Sequence, residues 1–151
     1  MAITQTATTS FKVELLQGVH NFGPTSPDTF KIALYTAAAN IDATTTAYTT
    51  SGEVSSSGTG YTQGGNTLVI NVYPTSGNNS TSIPTAYVSF SNTSWTNATF
   101  TARGALIYND TAAGNPSVAV LDFGSDKTVS NDTFQIIFPA PSANSAIVRI
   151  S

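Results

Sequence analysis

The stretch TFKIALYTA, residues 29–37, alternates strictly between two sets of side chains. One set is mostly apolar and consists of Phe30, Ile32, Leu34 and Thr36. The other set is mixed and consists of Lys31, Ala33 and Tyr35. Because successive side chains of a strand point to opposite faces of a sheet, this period predicts a β-strand. The difference between its two sides predicts a strand that is half-buried.

Further short apolar runs follow, and turn-forming Gly, Asn, Asp, Ser and Pro residues separate them. They are TLVINVYP (67–74), AYVSFSN (86–92), SWTNATFTARGALIYND (94–110), SVAVLDFG (117–124), TFQIIFP (133–139) and AIVRIS (146–151). No helical pattern alternates with these runs, which argues against a parallel sheet with crossover helices. The pattern therefore predicts an all-β, antiparallel β-sandwich, with a jelly roll as one form that it could take.

The N-terminal region TTSFKVELLQGVHNFG, residues 8–23, is the one candidate helix. Its apolar residues recur at helical steps, with Ser10 as N-cap and Gly18 as a stop: Phe11, Leu15, Val19 and Phe22. Phe11, Val13 and Leu15 also alternate, so a strand remains an alternative. We expect residues 1–10 to form a flexible arm and residues 11–151 to form a single β-sandwich domain.

Composition excludes several classes of protein. Only 9% of the 151 residues are charged, against a usual share of roughly 25%. The net charge is −3, and the five cations are scattered: Lys12, Lys31, Arg103, Lys127 and Arg149. This arrangement predicts no nucleic-acid partner, since that function needs clustered cations. The longest apolar runs fall short of the about 20 residues that span a bilayer, so no membrane partner is expected.

The stretch TAYTTSGEVSSSGTGYTQGGNTL, residues 46–68, contains five glycines and one charged side chain. It lacks the Lys-Ser/Thr ending of a phosphate loop and leads into a strand rather than a helix. A structural loop and a contact surface remain as alternatives, because tyrosine gives contact area and Ser and Gly adapt to a partner. We predict a partner-binding loop over residues 44–66, with four contact residues: Tyr48, Glu53, Tyr61 and Gln63.

Catalytic and metal-binding patterns are weak in this chain. The chain has no cysteine, which excludes disulfides and cysteine-ligated zinc. His20 is the only histidine, and its expected place at a helix end favours a structural role. Asp122 is the first residue of a D-F-G triplet and Asp126 lies four residues after it, a spacing that suits a turn better than a calcium site. We therefore predict that the protein is not an enzyme and uses no cofactor or metal.

Several segments resemble a group of small virion structural proteins of tailed bacteriophages. They are SFKVELLQGVHNF (10–22), the long stretch from Asp28 to Leu68, ARGALIYND (102–110), VAVLDFGSDK (118–127) and the closing AIVRIS. The resemblance implies a capsid cement or decoration protein. The implied partners are the major capsid protein and other copies of this chain, as a homodimer or homotrimer. It also implies synthesis in the bacterial host cytoplasm and a final location on the virion, on the capsid exterior.

Two alternatives belong to other functional classes. The first is a receptor- or glycan-binding module of a tail or head fibre, with Trp95, Tyr108 and the segment from Asn78 to Asn97 lining a sugar site. Trp95 is itself ambiguous, since it fits a core anchor as well as an exposed platform. The second is a hydrolase, which would have to place His20 in a cleft beside a serine and an acid.

Overall fold

The protein folds into eight strands and one helix over residues 2–151, the part of the chain that this computed structural model describes. In chain order the elements are β1 (Thr6–Ala7), α1 (Thr9–Leu16), β2 (Phe30–Tyr35), β3 (Asn66–Leu68), β4 (Ile70–Asn78), β5 (Pro84–Phe90), β6 (Thr93–Asn109), β7 (Ser117–Ile136) and β8 (Val148–Ile150). Strands account for 48% of the chain and helix for 5%, so the predicted all-β class is confirmed.

The strands form two antiparallel sheets that pack as a sandwich. The larger sheet has the order β1-β7-β6-β2-β3, and the smaller has the order β4-β5-β8. Neighbours in sequence pair directly as hairpins, β4 with β5 and β6 with β7. The predicted antiparallel β-sandwich is therefore confirmed.

The main core lies between the two sheets. Strand β2 contributes Phe30, Ile32 and Leu34, and the smaller sheet contributes Phe90 and Val148 from the opposite side. Aromatic rings carry much of the contact: Phe22 and Phe30 stack with ring centroids 4.2 Å apart. The apolar side of the predicted strand is thus the side that faces the second sheet.

A second cluster covers the opposite face of the larger sheet. It contains Ala33 and Tyr35 of β2, Leu106 and Tyr108 of β6, and Ile41 from the loop after β2. Strand β2 is consequently buried on both faces, and the expectation of a half-buried strand was wrong. The reason is tertiary: the chain after β2 folds back over the strand and covers its second side.

Helix α1 confirms the predicted helix but has different ends. It begins at Thr9, with Thr8 rather than Ser10 in the N-cap position, and it ends at Leu16. Gly18 follows with φ +71°, a conformation in which glycine commonly ends a helix. Val19 and Phe22 therefore lie beyond the helix. Within residues 2–151, no helix has both the length and the apolar character needed to cross a membrane.

The N-terminal arm lies against the larger sheet. Thr6 and Ala7 pair with Val120 and Ala119 at the edge of β7. Before this pair, the amide of Thr4 donates to the carbonyl of Ile41 over 3.1 Å. The predicted arm is present, but residues 2–8 are docked rather than free and residues 9–10 belong to α1. Met1 lies outside the described residues.

Candidate functional site

The loop that links β2 to β3 folds back onto the end of β2. The amide of Val54 donates to the carbonyl of Leu34 over 2.9 Å, and the amide of Thr36 donates to the carbonyl of Gly52 over 2.9 Å. These two bonds extend the strand pairing into the loop and place Glu53 beside Tyr35. The carboxylate of Glu53 is thereby held at the centre of the loop.

The carboxylate of Glu53 accepts three hydrogen bonds from within the loop. Its Oε1 atom accepts from the hydroxyl of Tyr61 and from the amide of Gly64, both over 2.7 Å. Its Oε2 atom accepts from the hydroxyl of Tyr48, also over 2.7 Å. We refer to Tyr48, Glu53, Tyr61 and Gly64 as the Glu53 cluster. Hydrogen bonds to a charged acceptor are stronger than neutral ones, so this cluster holds the two halves of the loop together.

Further phenol groups attach the Glu53 cluster to the larger sheet. The hydroxyl of Tyr61 accepts from the amide of Leu34 over 3.0 Å while it donates to Glu53. The hydroxyl of Tyr108 donates to the carbonyl of Gly64 over 2.8 Å, and the ring of Tyr108 stacks on that of Tyr48, with centroids 4.7 Å apart. The loop is therefore anchored to both β2 and β6.

Burial shifts the acid–base behaviour of these tyrosines. It is the main reason why the pKa values of Tyr35, Tyr61 and Tyr108 lie well above the ordinary value of 10.0. Burial and, after it, the hydrogen bond to Glu53 raise the pKa of Tyr48 to about 12. A phenolate would have to form in a poorly solvated place beside a carboxylate, so the folded protein keeps these hydroxyls protonated.

We expect stability to fall at alkaline pH because of these tyrosines. Their pKa values are raised in the folded state, so their contribution is fully present below the unfolded value of about 10 and is lost as pH rises towards the folded values. Above about pH 10 the unfolded chain binds fewer protons, and the free energy of unfolding falls by up to about 1.4 kcal/mol per pH unit for each fully buried tyrosine. Urea denaturation at a series of pH values measures this slope.

The variant Tyr108→Phe provides the control for that prediction. It removes one buried hydroxyl, so the alkaline slope should become shallower while the slope at neutral pH stays unchanged. Tyrosinate absorbance of the folded protein gives an independent reading of ionisation. An alkaline slope that Tyr108→Phe leaves unchanged would contradict the protonated state of Tyr108 in the folded protein.

The four predicted contact residues occupy different environments. Tyr61 is only 3% exposed, so the prediction that it offers its ring to a partner is corrected. Tyr48 and Glu53 are half-buried, and their polar atoms bond to each other. Gln63 alone is exposed, at a shallow hollow of about 200 Å³ that Glu53 also lines. The loop is thus held together by internal hydrogen bonds, because the carboxylate of Glu53 accepts from the hydroxyls of Tyr48 and Tyr61.

The aromatic residues behind the glycan-binding alternative are buried. Trp95 is 4% exposed and Tyr108 is 1% exposed. The ring of Trp95 packs near those of Tyr61 and Phe134, so this residue is a core anchor rather than an exposed platform. Neither ring is available to stack on a sugar in this conformation.

His20 belongs to a buried polar cluster beneath α1. Its Nε2 atom lies 2.8 Å from a carboxylate oxygen of Glu14, and its Nδ1 atom lies 3.1 Å from the side-chain nitrogen of Asn109. The same nitrogen of Asn109 donates to Asp28 over 2.7 Å. Because Asn109 donates to Nδ1, the ring proton is on Nε2 and is donated to Glu14. Both ring nitrogens are thus used to hold the segment after α1 against β6.

The predicted turn at the D-F-G triplet is wrong, because Asp122 and Asp126 both lie within β7, at an irregularity in its pairing with β6. One oxygen of Asp122 accepts from the amide of Gly124 over 2.8 Å and from Nε of Arg103 over 3.3 Å. These two contacts, the amide first, lower the pKa of Asp122. No group of three or more His, Cys, Asp or Glu side chains within residues 2–151 is arranged to hold a metal ion.

The exposed large apolar side chains are spread over several elements, among them Val69 and Ile137, and three of them lie on α1 and β8. Leu16 is 92% exposed, Ile150 is 57% exposed and Val13 is 51% exposed, on α1 and β8. Between these elements runs a hollow of about 420 Å³, lined by Phe11, Lys12, Leu15, Leu16, Arg149 and Ile150 among others. We call this hollow the α1–β8 groove.

The sequence carries one signal for the exposed apolar side chains of α1 that the helical spacing of Phe11 and Leu15 does not explain. A surface helix usually carries a single apolar stripe, which Phe11 and Leu15 supply on the core side of α1. Val13 and Leu16 lie outside that stripe, so they predict a second apolar face.

Comparison with known proteins finds no family model, no curated protein and no solved structure that matches this chain.

Proposed function

We propose that the protein is a bacteriophage capsid cement protein that binds the assembled head and bridges neighbouring major capsid subunits. The observation that carries the proposal is the group of exposed apolar side chains around the α1–β8 groove. Contiguous apolar surface on a soluble domain commonly marks a site of protein contact. The segments that resemble phage virion proteins supply the identity of the partner.

The geometry suits a role in binding. The larger sheet is packed on both faces, and the Glu53 cluster holds the long loop in place. Such a preorganised body loses little conformational freedom when it docks, and that limits the cost of association. Many copies on one lattice then stabilise the shell together, even if each contact is weak. Under this proposal the principal contact surface is the α1–β8 groove rather than the loop of residues 44–66.

We expect the purified protein to cosediment with heads that lack it and to raise the temperature at which those heads open. Both effects should weaken with Leu16→Gln, which removes an exposed apolar side chain without disturbing the core. Ser56→Gln, at an exposed position in the loop, is the matched control and should behave as wild type. Unimpaired binding of Leu16→Gln would remove the groove from the contact surface.

Copy number separates this function from the fibre alternative. A cement protein should be present in virions in numbers comparable with those of the major capsid protein, and a fibre module in far fewer. Densitometry of purified virions measures the ratio, and antibody labelling in the electron microscope locates the protein. Label confined to the tail, at low copy number, would overturn the cement function.

A further inference from the structure

We infer that the docked arm, residues 2–7, is exchanged between neighbouring copies of this protein, so that the arm of one copy occupies the arm site of the next. The arm site is the place on the body where the arm lies in this structure. The inference rests on the proposed function for one thing only, the crowding of copies on a lattice. Its physical basis is a site fitted to an extended segment, together with a sharp boundary between the arm and the body.

The arm site is formed by two segments of the body. Near one end of the arm, Thr6 and Ala7 pair with the edge of β7. Near the other end, Ile3 forms a parallel bridge with Ile41, whose carbonyl accepts from the amide of Thr4. The arm is therefore held through its backbone along its length, which is a common way to bind an extended peptide.

One side chain of the arm is fitted to the site. Ile3 packs against the second cluster, on the face of the larger sheet that is opposite the main core. It lies over Gly104 of β6, where an added Cβ atom would be 2.8 Å from Cγ2 and 3.0 Å from Cδ1 of Ile3. The space that the glycine leaves is thus filled by Ile3. Backbone pairing together with one fitted apolar side chain makes the site selective for this segment.

The arm is held by fewer contacts than the residues that follow it. Among residues 2–151 the one side-chain hydrogen bond of the arm is local, from the hydroxyl of Thr6 to the carbonyl of Ala7 over 2.9 Å. Thr8, by contrast, is fully buried. Its amide donates to the carbonyl of Val118 over 3.1 Å, and its hydroxyl accepts from that of Ser117 over 2.8 Å. The body therefore begins at Thr8, and the arm before it opens more readily than the core.

An exchanged arm would lose none of its contacts. Each contact forms equally well on a second copy, because the arm site belongs entirely to the body. Local concentration therefore decides: an isolated copy keeps its own arm, whereas copies held side by side offer one another their sites at a comparable concentration. Residues 2–7 carry no charged side chain, so arms that cross do not repel each other. When extended they span at most about 20 Å, which sets how near the copies must lie.

Exchange would strengthen a lattice of weakly bound copies. A copy whose arm lies on one neighbour, and whose site holds the arm of another, must open both sites before it can leave. A strand of the capsid subunit is a different occupant of the arm site. It would displace the arm and expose the apolar side chain of Ile3 to water, a cost that exchange between copies avoids.

Engineered cysteines report where the arm lies, because the chain has no cysteine of its own. Ala7 and Ala119 are directly opposite each other, and the Cα atoms of such pairs are about 4.5–5.5 Å apart, within reach of a disulfide. A mixture of Ala7→Cys protein and tagged Ala119→Cys protein can form this disulfide only between copies. On non-reducing gels we expect the linked dimer from fully occupied heads and from solutions of about 1 mM, and almost none at about 1 μM.

Two kinds of variant control the experiment. Ile3→Gln in the Ala7→Cys chain should lower the yield of the linked dimer by about tenfold, because the competing arm of the partner keeps its isoleucine. Gln5→Ala, at an exposed arm position, should leave the yield unchanged. Ser130→Cys in place of Ala119→Cys is exposed and lies farther along β7, so it measures linkage through chance collision.

A yield no greater than that of the Ser130→Cys control, both on heads and at high concentration, would overturn the inference. On heads, the double variant Ala7→Cys/Ala119→Cys would overturn it in two other ways. Its internal disulfide alone would show that the arm stays on its own body, and no disulfide at all would assign the arm site to the capsid subunit. Linked dimers in concentrated solution, from a protein that does not bind heads, would leave the inference standing and reject the cement function. Head binding without linked dimers would do the reverse.

Discussion

Replacement of Gly65 by alanine is expected to prevent the native fold. Gly65 has φ +75°, a region that L-residues rarely adopt, and a Cβ atom there would lie 1.8 Å from the carbonyl oxygen of Ile32. It would also lie 2.8 Å from the Cα atom of Ala33. These are backbone atoms of strand β2, so no side-chain rotation can relieve the overlap. Either β2 or the start of β3 must move out of the sheet.

The expected cost is several kcal/mol, which approaches the whole stability of a domain, usually about 5–15 kcal/mol. Circular dichroism, urea denaturation and solubility measure the loss. Gly58→Ala is the matched control: Gly58 has φ +69°, but a Cβ atom there meets no atom within 4 Å. It should cost only the backbone strain, about 1 kcal/mol. Similar losses in the two variants would contradict the close approach of Gly65 to β2.

Glu53→Ala is expected to lower the free energy of unfolding by about 3 kcal/mol, because it leaves buried donors without an acceptor. The hydroxyl of Tyr61 and the amide of Gly64 both lose Oε1 of Glu53, and the hydroxyl of Tyr48 loses Oε2. Each unsatisfied buried donor costs about 1–3 kcal/mol, less where water can enter from the adjoining hollow. Urea denaturation measures the change.

Glu53→Gln separates the loss of hydrogen bonding from the loss of charge. Its amide oxygen can still accept from Tyr61 and Gly64, and its amide nitrogen can donate to the hydroxyl of Tyr48. We therefore expect a cost of about 1 kcal/mol. Asp126→Ala, at an exposed position of β7, should be close to neutral. Full stability of Glu53→Ala would show that the loop is held by other contacts.

The elements of the fold were largely predictable because their signals are local. The alternation of Phe30, Ile32 and Leu34 reflects the geometry of a strand wherever that strand lies. The helical spacing of Phe11 and Leu15 predicted α1 for the same reason. Strand β2 and helix α1 formed where these periods predicted them. The exact ends of α1 were not predictable in this way, because the helix starts where the amide of Thr8 donates to the carbonyl of Val118, far along the chain.

The candidate site was less predictable, because it depends on contacts between distant residues. A tyrosine in a Ser- and Gly-rich loop has the same local pattern whether it faces solvent or the core. Tyr61 is buried because its hydroxyl meets the amide of Leu34 and the carboxylate of Glu53 together. That meeting requires the loop to fold back over β2, and no short-range period in the sequence encodes it.

The amino-acid sequence by itself determined the all-β class, the strands and the short helix, since each follows from the direction of successive side chains along one segment. Only the tertiary structure decided which surfaces remain open. It placed α1, from the start of the chain, beside the edge of β8, from its end, and so created the α1–β8 groove between Lys12 and Arg149. Surfaces of this kind arise from topology, because burial is a property of the whole packed chain and not of any one stretch of it.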